Sequence, residues 1–157
     1  MQFPSTNKPV SVLGVVLILA AAAMGQSKHC TTVGGMIMTN LGVVDPATTL
    51  GTVTGDLRGA VAATILSTEG TGNTLILHVQ HHWVTESGDT LDFDPATATT
   101  TQVAPGLYAI VTYPVHLKGG TGKYAKASGN LTSIGEADLI AGKLVLRYSG
   151  QVCFSGN

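Results

Sequence analysis

Residues Gly119 to Leu131 read Gly-Gly-Thr-Gly-Lys-Tyr-Ala-Lys-Ala-Ser-Gly-Asn-Leu, the most informative part of the sequence. Three glycines crowd its first corner, Tyr124 follows two residues after the third, and small residues lead to Gly129 inside a segment with strand character. Glycine inside a strand marks a bulge, a sharp bend or a close backbone approach. An aromatic side chain that packs back over such glycines lets a barrel turn its corner. The stretch therefore predicts a strongly curved sheet.

The rest of the chain alternates between apolar and polar residues with a period of two. The odd-numbered positions of residues 51–65, 75–85 and 107–117 form apolar rows, as do the even-numbered positions of residues 144–154. Such rows predict half-buried strands with one solvent-exposed face, which are typical of antiparallel sheets. Compact turn signals separate the rows, and roughly seven or eight strands at this spacing fit a sandwich or a barrel.

The tetrapeptide Asp-Pro-Ala-Thr occurs twice, at residues 45–48 and 94–97. Asp is a good N-cap and proline suits the first helical position, so each copy is predicted to open a single helical turn. Residues 94–105, which are dominated by Thr and Ala, fit either a long loop or an edge strand.

Composition excludes several classes of partner. The net charge is −1 and only 11% of the residues are charged, so the chain has no electrostatic footprint for nucleic acid. Lys and Arg are scattered singly, with no basic amphipathic stripe for a membrane surface.

The N-terminus has the pattern of a secretory signal. Lys8 precedes an apolar run from Val10 to Met24, and small residues end at Gly25. The run is shorter than the ~20 apolar residues that a spanning helix needs, which favours cleavage after Gly25 over a membrane anchor. We therefore expect a signal peptide at residues 1–25 and one β-barrel domain at residues 26–157. The mature protein is expected to be secreted or periplasmic, with no stable membrane insertion.

Two cysteines, Cys30 and Cys153, lie near the two ends of the mature chain. In an oxidising compartment an even pair predicts a disulfide rather than two buried thiols. If the first and last strands are neighbours, as the closing of a barrel demands, this disulfide crosses the seam.

The stretch Gly119 to Leu131 resembles the Gly-Gly-Thr-Gly-x-aromatic-x-x-Ala-x-Gly signature of the allene oxide cyclase-like and dirigent-like β-barrels. Within that group, the chain most resembles the secreted, bacterial-type members. The resemblance implies one antiparallel, roughly eight-stranded closed barrel. It also implies a protein without a cofactor and a homo-oligomer, since both families are commonly trimers. The matching positions are Gly119, Gly120, Gly122, Tyr124, Ala127 and Gly129.

Such a barrel has an interior that is either filled by side chains or holds one small apolar ligand. Trp83, Tyr113 and Tyr148 lie on apolar rows and are predicted to form the wall of a ligand cavity, with Phe154 beside them. His81 shares a row with Trp83, so it is either a core histidine bonded to a tyrosine or a neutral imidazole that orients or protonates a ligand.

Glu86 is the one carboxylate predicted near the barrel mouth, although its register places it on the opposite face from His81. We therefore take His81 and Glu86 as the candidate catalytic residues. No metal site is expected, because His78 and His82 stand about 13 Å apart on a strand, too far for zinc–nitrogen bonds of about 2 Å.

Two functions of different class follow from these residues. The first is a secreted barrel that binds a small apolar ligand or serves a structural role. The second is a cofactor-free isomerase or cyclase, as in allene oxide cyclases, which close an unstable fatty-acid epoxide. Dirigent proteins, which orient phenoxy radicals without oxidising them, represent a variant in which the cavity orients a reactive ligand. The fold alone does not choose among them.

Overall fold

The computed structural model describes residues 28–155, which form one closed antiparallel sheet and a short 3-10 turn at Gly122–Tyr124. The signal peptide predicted for residues 1–25 lies outside the described residues. Within residues 28–155, no helix has the length and apolar character needed to cross a membrane. The strands are β1 Lys28–Leu41, β2 Thr48–Val53, β3 Gly59–Glu69, β4 Thr74–Thr85, β5 Thr90–Phe93, β6 Ala96–Ala104, β7 Leu107–Thr112, β8 Pro114–Gly120, β9 Ala127–Asp138 and β10 Lys143–Ser155.

The sheet closes as a barrel of eight staves. Strands β5 and β6 follow one another along β4, and β7 and β8 follow one another along β9, so ten strands fill eight positions. The circle is completed where β10 pairs with both β1 and β9. The predicted fold class, an eight-stranded antiparallel closed barrel, is confirmed.

The disulfide between Cys30 and Cys153 joins β1 to β10, where the two cysteines stand directly opposite each other. The first and last strands of the described chain are therefore neighbours, as predicted. Closure removes the exposed edges through which an open sheet pairs with other chains.

The period-two rows point inward in three of the four segments, and the exception has a physical reason. At the junction of β7 and β8, Ile110 and Tyr113 are buried while Val111 and Thr112 are exposed. One extra residue therefore stands between two inward positions, and the pairing of β6 with β7 shifts register beside it. The prediction that Val111 belongs to the inward row was wrong, because a bulge exchanges the two faces of a strand.

The row from 51 to 65 is not one strand. Strand β2 ends at Val53, residues 54–58 form a connecting loop, and β3 begins at Gly59. Leu57 nevertheless points inward, because the loop folds its side chain into the end of the barrel, where it is 2% exposed.

The first Asp-Pro-Ala-Thr copy makes one hydrogen-bonded turn, in which the N–H of Thr48 donates to the backbone oxygen of Asp45 (3.2 Å), and neither copy begins a helix. The Asp45 carboxylate accepts a hydrogen bond from the backbone N–H of Ala47 (2.8 Å), which makes a tight turn before β2. The second copy interrupts a stave at Asp94 and Pro95, between β5 and β6. Residues 96–104 are a strand paired on both sides, with β4 and with β7, rather than a loop or a free edge.

The glycine stretch allows close backbone approaches at its corner. A Cβ on Gly120 would collide with the backbone oxygen of Thr90, so this glycine lets β5 and β8 approach closely. Gly122 has a φ of 52°, and its Cβ would meet the Asp89 carboxylate. The Tyr124 ring packs against Phe154 on β10, with ring centroids 5.8 Å apart.

Candidate functional site

The barrel encloses an apolar cavity of about 60 Å³ between the staves. Its wall combines aliphatic, aromatic and a few uncharged polar side chains, and no Asp, Glu, Lys or Arg among the described residues contributes to it. The wall is formed by Ile37, Thr39, Thr49, Val61, Ala63, Ile65, Leu77, Val79, His81, Trp83, Phe93, Ala98, Ile110, Tyr113, Val115, Leu131, Ser133, Leu144, Leu146 and Tyr148.

One end of the cavity, which we call the closed end, is sealed by the loop that carries Leu57. The Trp83 indole N–H donates to the backbone oxygen of Leu57 (2.9 Å), and the backbone N–H of Leu57 donates to the hydroxyl of Tyr148 (3.0 Å). That hydroxyl donates in turn to the backbone oxygen of Thr54 (3.1 Å). The Trp83 and Tyr148 rings meet edge to face at 5.7 Å. The loop is therefore fastened to the barrel through its own backbone.

The opposite end, which we call the open end, has no comparable plug among the described residues. Its inward side chains, including Ile65, Leu77 and Leu144, line the cavity yet are only partly buried. They belong to the strand ends near the β1–β2 loop and the β9–β10 loop. Solvent therefore reaches these side chains, and a ligand would enter from here.

His81 and Tyr113 form the polar pair of the wall. The Tyr113 hydroxyl and the His81 Nε2 are 2.7 Å apart, and the two rings lie 5.5 Å apart. Burial lowers the pKa of His81 to about 4, with a smaller contribution from the neighbouring His82, and burial raises the pKa of Tyr113. Both groups are neutral at pH 7, because taking either charged form out of water is unfavourable.

The second nitrogen of His81, Nδ1, is buried and has no hydrogen-bond partner among the described residues. The Tyr113 hydroxyl also keeps unused capacity, because a hydroxyl has one donor and two acceptor positions and His81 occupies one of them. The pair is therefore bonded internally and keeps further hydrogen-bonding capacity within an uncharged wall.

The structure does not bring Glu86 to this site. Its carboxylate lies just beyond β4 on the outside of the closed end, where it pairs with Arg58 at 3.0 Å, and both side chains are about two-thirds exposed (68% and 66%). Glu86 and His81 are therefore not a pair, because the strand register that separates their faces continues to the end of β4.

The other histidines of β4 lie outside the cavity. His78 bonds to Glu69 (3.2 Å) and Thr97 (3.2 Å) on the outer face, and His82 is exposed. Across residues 28–155, no group of three His, Cys, Asp or Glu side chains is arranged to hold a metal ion.

Of the residues expected in the cavity wall, Trp83, Tyr113 and Tyr148 lie there and Phe154 does not. Phe154 packs on Tyr124 beyond the closed end. Phe93 also lies in the wall, where it was not expected, and its ring lies 5.7 Å from both Trp83 and His81. Its strand, Thr-Leu-Asp-Phe, alternates between polar and apolar residues, but four residues are too few for the alternation to stand out.

Comparison with known proteins adds little to this geometry. The sequence matches no protein-family model and no curated protein. Among solved structures, the chain is similar to a pterocarpan synthase dirigent protein, with 12% identity, a TM-score of 0.37, and coverage of 83% of this chain and 88% of that one. A likeness this distant supports no further conclusion, so the closed barrel rests on the structure itself.

Proposed function

We propose that this protein binds a small, largely apolar molecule in the barrel cavity and fixes its orientation through the Tyr113–His81 pair. The observation that carries the proposal is an apolar wall with one neutral polar pair that has unused hydrogen-bonding capacity. Ligand sites generally combine such walls with a few polar groups that set orientation.

The size of the cavity limits the ligand. A cavity of about 60 Å³ is smaller than the roughly 150 Å³ site that holds benzene in an engineered protein. A ring or a short alkyl chain therefore fits only if it reaches out through the open end or displaces the partly buried side chains there. A long fatty acid would extend into solvent.

We propose binding ahead of catalysis for this cavity. Proton transfer by the residues of the wall would have to use His81 or Tyr113, both of which are neutral at pH 7, and no carboxylate of the described chain lines the wall. The isomerase or cyclase alternative therefore lacks a charged acid–base partner. A dirigent-like role requires only that a reactive ligand be held in one orientation, so it is compatible with this proposal.

Phenol and benzene test the proposal, because they differ only by one hydroxyl. Binding is measured from methyl chemical shifts of the cavity residues during titration. Phenol is expected to bind several-fold more tightly than benzene, and Tyr113→Phe is expected to remove most of the difference, since a neutral hydrogen bond is worth about 1 kcal/mol. Equal affinities in the wild-type protein would contradict the role of the pair.

A matched pair of variants on β3 locates the binding. Ala63→Leu places extra carbon atoms in the cavity, whereas Ala60→Leu makes the same change on the exposed outer face of the same strand. The first is expected to abolish binding of both compounds and the second to leave binding unchanged. Equal effects from the two variants would place the ligand outside the barrel.

We further propose that the protein works outside the cytoplasm and associates with itself. The Cys30–Cys153 disulfide supports an oxidising compartment.

The proposed self-association rests on an exposed apolar face. The neighbouring strands β1 and β10 expose Met36, Met38 and Val145, and Met38 stands opposite Val145. An oligomer built on this face, a trimer by resemblance, is expected to dissociate in Met38→Glu, as measured by sedimentation velocity. A monomeric wild-type protein would refute self-association.

A further inference from the structure

The large apolar side chains that are exposed in loops and irregular strand ends gather at the open end of the barrel. They come from the β1–β2 loop, the bulge of β3, the end of β6 and the β9–β10 loop. Several are strongly exposed, with Ile140 at 79% and Val44 at 66%. We call this set the mouth rim, and it consists of Val43, Val44, Leu66, Val103, Leu139 and Ile140.

Backbone hydrogen bonds join the segments that carry the mouth rim into a single ring. The N–H of Leu41 donates to Gly142 (2.7 Å), which ties the β1–β2 loop to the β9–β10 loop. The N–H of Leu139 donates to Gly106 (2.9 Å), which ties the β9–β10 loop to the turn after β6. The ring continues on the far side, where the N–H of Ile65 donates to Ala47 (2.9 Å) and that of Gln102 donates to Asn73 (2.7 Å). The segments that carry the mouth rim are therefore neighbours around the opening.

Charged side chains, in contrast to the exposed aliphatic ones, are concentrated in the loops of the closed end. The loops of the closed end, residues 54–58, 86–89 and 121–126, carry six charged residues. These six are Asp56, Arg58, Glu86, Asp89, Lys123 and Lys126.

The strand ends and loops at the mouth rim carry four charges, of which three are acidic. Asp45 and Asp138 accept hydrogen bonds from their own loop backbones, Glu69 pairs with His78, and Lys143 is the one cation. The mouth rim is thus apolar and slightly acidic.

We propose that the mouth rim docks on the surface of a neutral lipid bilayer, with the open end of the barrel facing the lipid. A ring of exposed aliphatic side chains around an opening fits a broad apolar surface, and burying such side chains in the interface is favourable. Beside the ring, the partly buried side chains of Ile65, Leu77 and Leu144 line the cavity. Apolar side chains therefore extend from the proposed lipid contact to the interior of the barrel. The slight excess of acidic groups provides no electrostatic attraction to anionic lipid.

This docking does not depend on the proposed ligand. The ring of side chains contacts lipid whether or not the cavity is occupied, so vesicle binding and phenol binding fail independently of each other. A protein that binds vesicles but no small molecule would retain the docking surface and lose the proposed function.

Vesicle co-sedimentation tests the proposal with residues 26–157, the chain without the predicted signal peptide. Binding to phosphatidylcholine vesicles is compared for the wild type, for Val44→Ser, for Val44→Ser with Ile140→Ser, and for Val84→Ser, which makes the same change on the outer wall of β4. The double variant is expected to bind at least about tenfold more weakly, and Val84→Ser within about twofold of the wild type. No binding by the wild type, or equal losses in the rim and wall variants, would overturn the proposal.

Composition of the vesicle distinguishes hydrophobic docking from electrostatic attraction. Binding is expected to persist at high salt and not to increase when phosphatidylserine is added, since salt screens only charge interactions. Binding that requires phosphatidylserine would overturn the proposal.

Hydrogen exchange on phosphatidylcholine vesicles locates the contact within the protein. Peptides covering residues 42–47 and 139–142 are expected to exchange several-fold more slowly on vesicles, while those covering 86–89 and 121–126 are expected to be unchanged. Protection confined to the closed end, or to the outer wall, would show that another surface makes the contact and would overturn the proposal.

Discussion

The closed end and the open end of this barrel are held by different kinds of interaction. At the closed end, the indole of Trp83 and the hydroxyl of Tyr148 hydrogen-bond to the backbone of a loop that has been drawn inside, and the side chains involved are almost wholly buried. At the open end, backbone hydrogen bonds join the loops to one another, and the inward side chains remain partly exposed. The first arrangement fixes the barrel, whereas the second leaves access to its interior.

A small barrel can in this way combine stability with an accessible cavity. Regions with few buried contacts open locally at a lower free energy than the packed core, and binding surfaces are drawn from such regions. The disulfide lies towards the closed end, near the start of β1 and the end of β10. Most of the cross-barrel restraint is therefore at the end opposite the proposed entry.

The largest expected effect is the loss of the indole that fastens the closed end. Trp83→Ala removes a 4% exposed ring and its bond to Leu57, and is expected to lower the free energy of unfolding by roughly 3–5 kcal/mol. Urea denaturation followed by circular dichroism measures the change. A loss below about 1 kcal/mol would mean that the closed end does not stabilise the barrel in the way that its contacts indicate.

Removal of the covalent link at the same end is the next test. The double variant Cys30→Ser with Cys153→Ser removes a cross-link between residues 123 positions apart. It is expected to lower the free energy of unfolding by about 2–4 kcal/mol without changing the fold. The melting temperature measures the effect, and the wild type in reducing buffer serves as the control. Identical melting curves with and without reductant would show that the link contributes nothing to stability.

The pH dependence of stability tests the environment of His81, which lies in the cavity wall between the two ends. Burial lowers the pKa of His81 from 6.5 to about 4 in the folded protein, so the unfolded chain binds the proton more readily. The stability associated with the neutral imidazole is therefore present above pH 6.5 and is lost as the pH falls from 6.5 towards 4. The difference between the two pKa values corresponds to about 3 kcal/mol in the free energy of unfolding.

His81→Gln keeps a polar side chain that does not titrate, and it is expected to flatten the decline in stability between pH 6.5 and 4. His116→Gln changes an exposed histidine on the outer wall and is expected to retain the decline. Chemical denaturation at several pH values compares the three proteins. Equal slopes in all of them would show that His81 is accessible to water.

The parts of this structure that follow from sequence are those set by local alternation. A strand turns successive side chains to opposite faces, so the row from Leu144 to Phe154 could be assigned to the interior from its own residues. The pairing of Cys30 with Cys153 also followed, because the sequence contains only these two cysteines. Neither inference needs the register between distant strands.

The parts that sequence did not predict depend on contacts between distant residues. Alternation placed Leu57 on the inward side, but it did not show that residues 54–58 are a loop. That loop is held by bonds from the backbone of Leu57 to Trp83, 26 residues away, and to Tyr148, 91 residues away. The bulge that exposes Val111 is set by register against β6 and β9. Glu86 was misplaced for a related reason, because the mouth was assigned to the wrong end of β4.

The smallest expected effect comes from the open end and completes the comparison. Leu144→Ala removes a partly buried side chain from the wall near the mouth, and is expected to cost only about 1 kcal/mol, since a partly exposed side chain has less apolar area to lose. Because the variant widens the entry, phenol is expected to exchange faster in and out of the cavity in line-shape analysis, with less change in affinity than Ala63→Leu causes. A destabilisation as large as that of Trp83→Ala would mean that the two ends are equally packed, and the functional asymmetry argued from them would disappear.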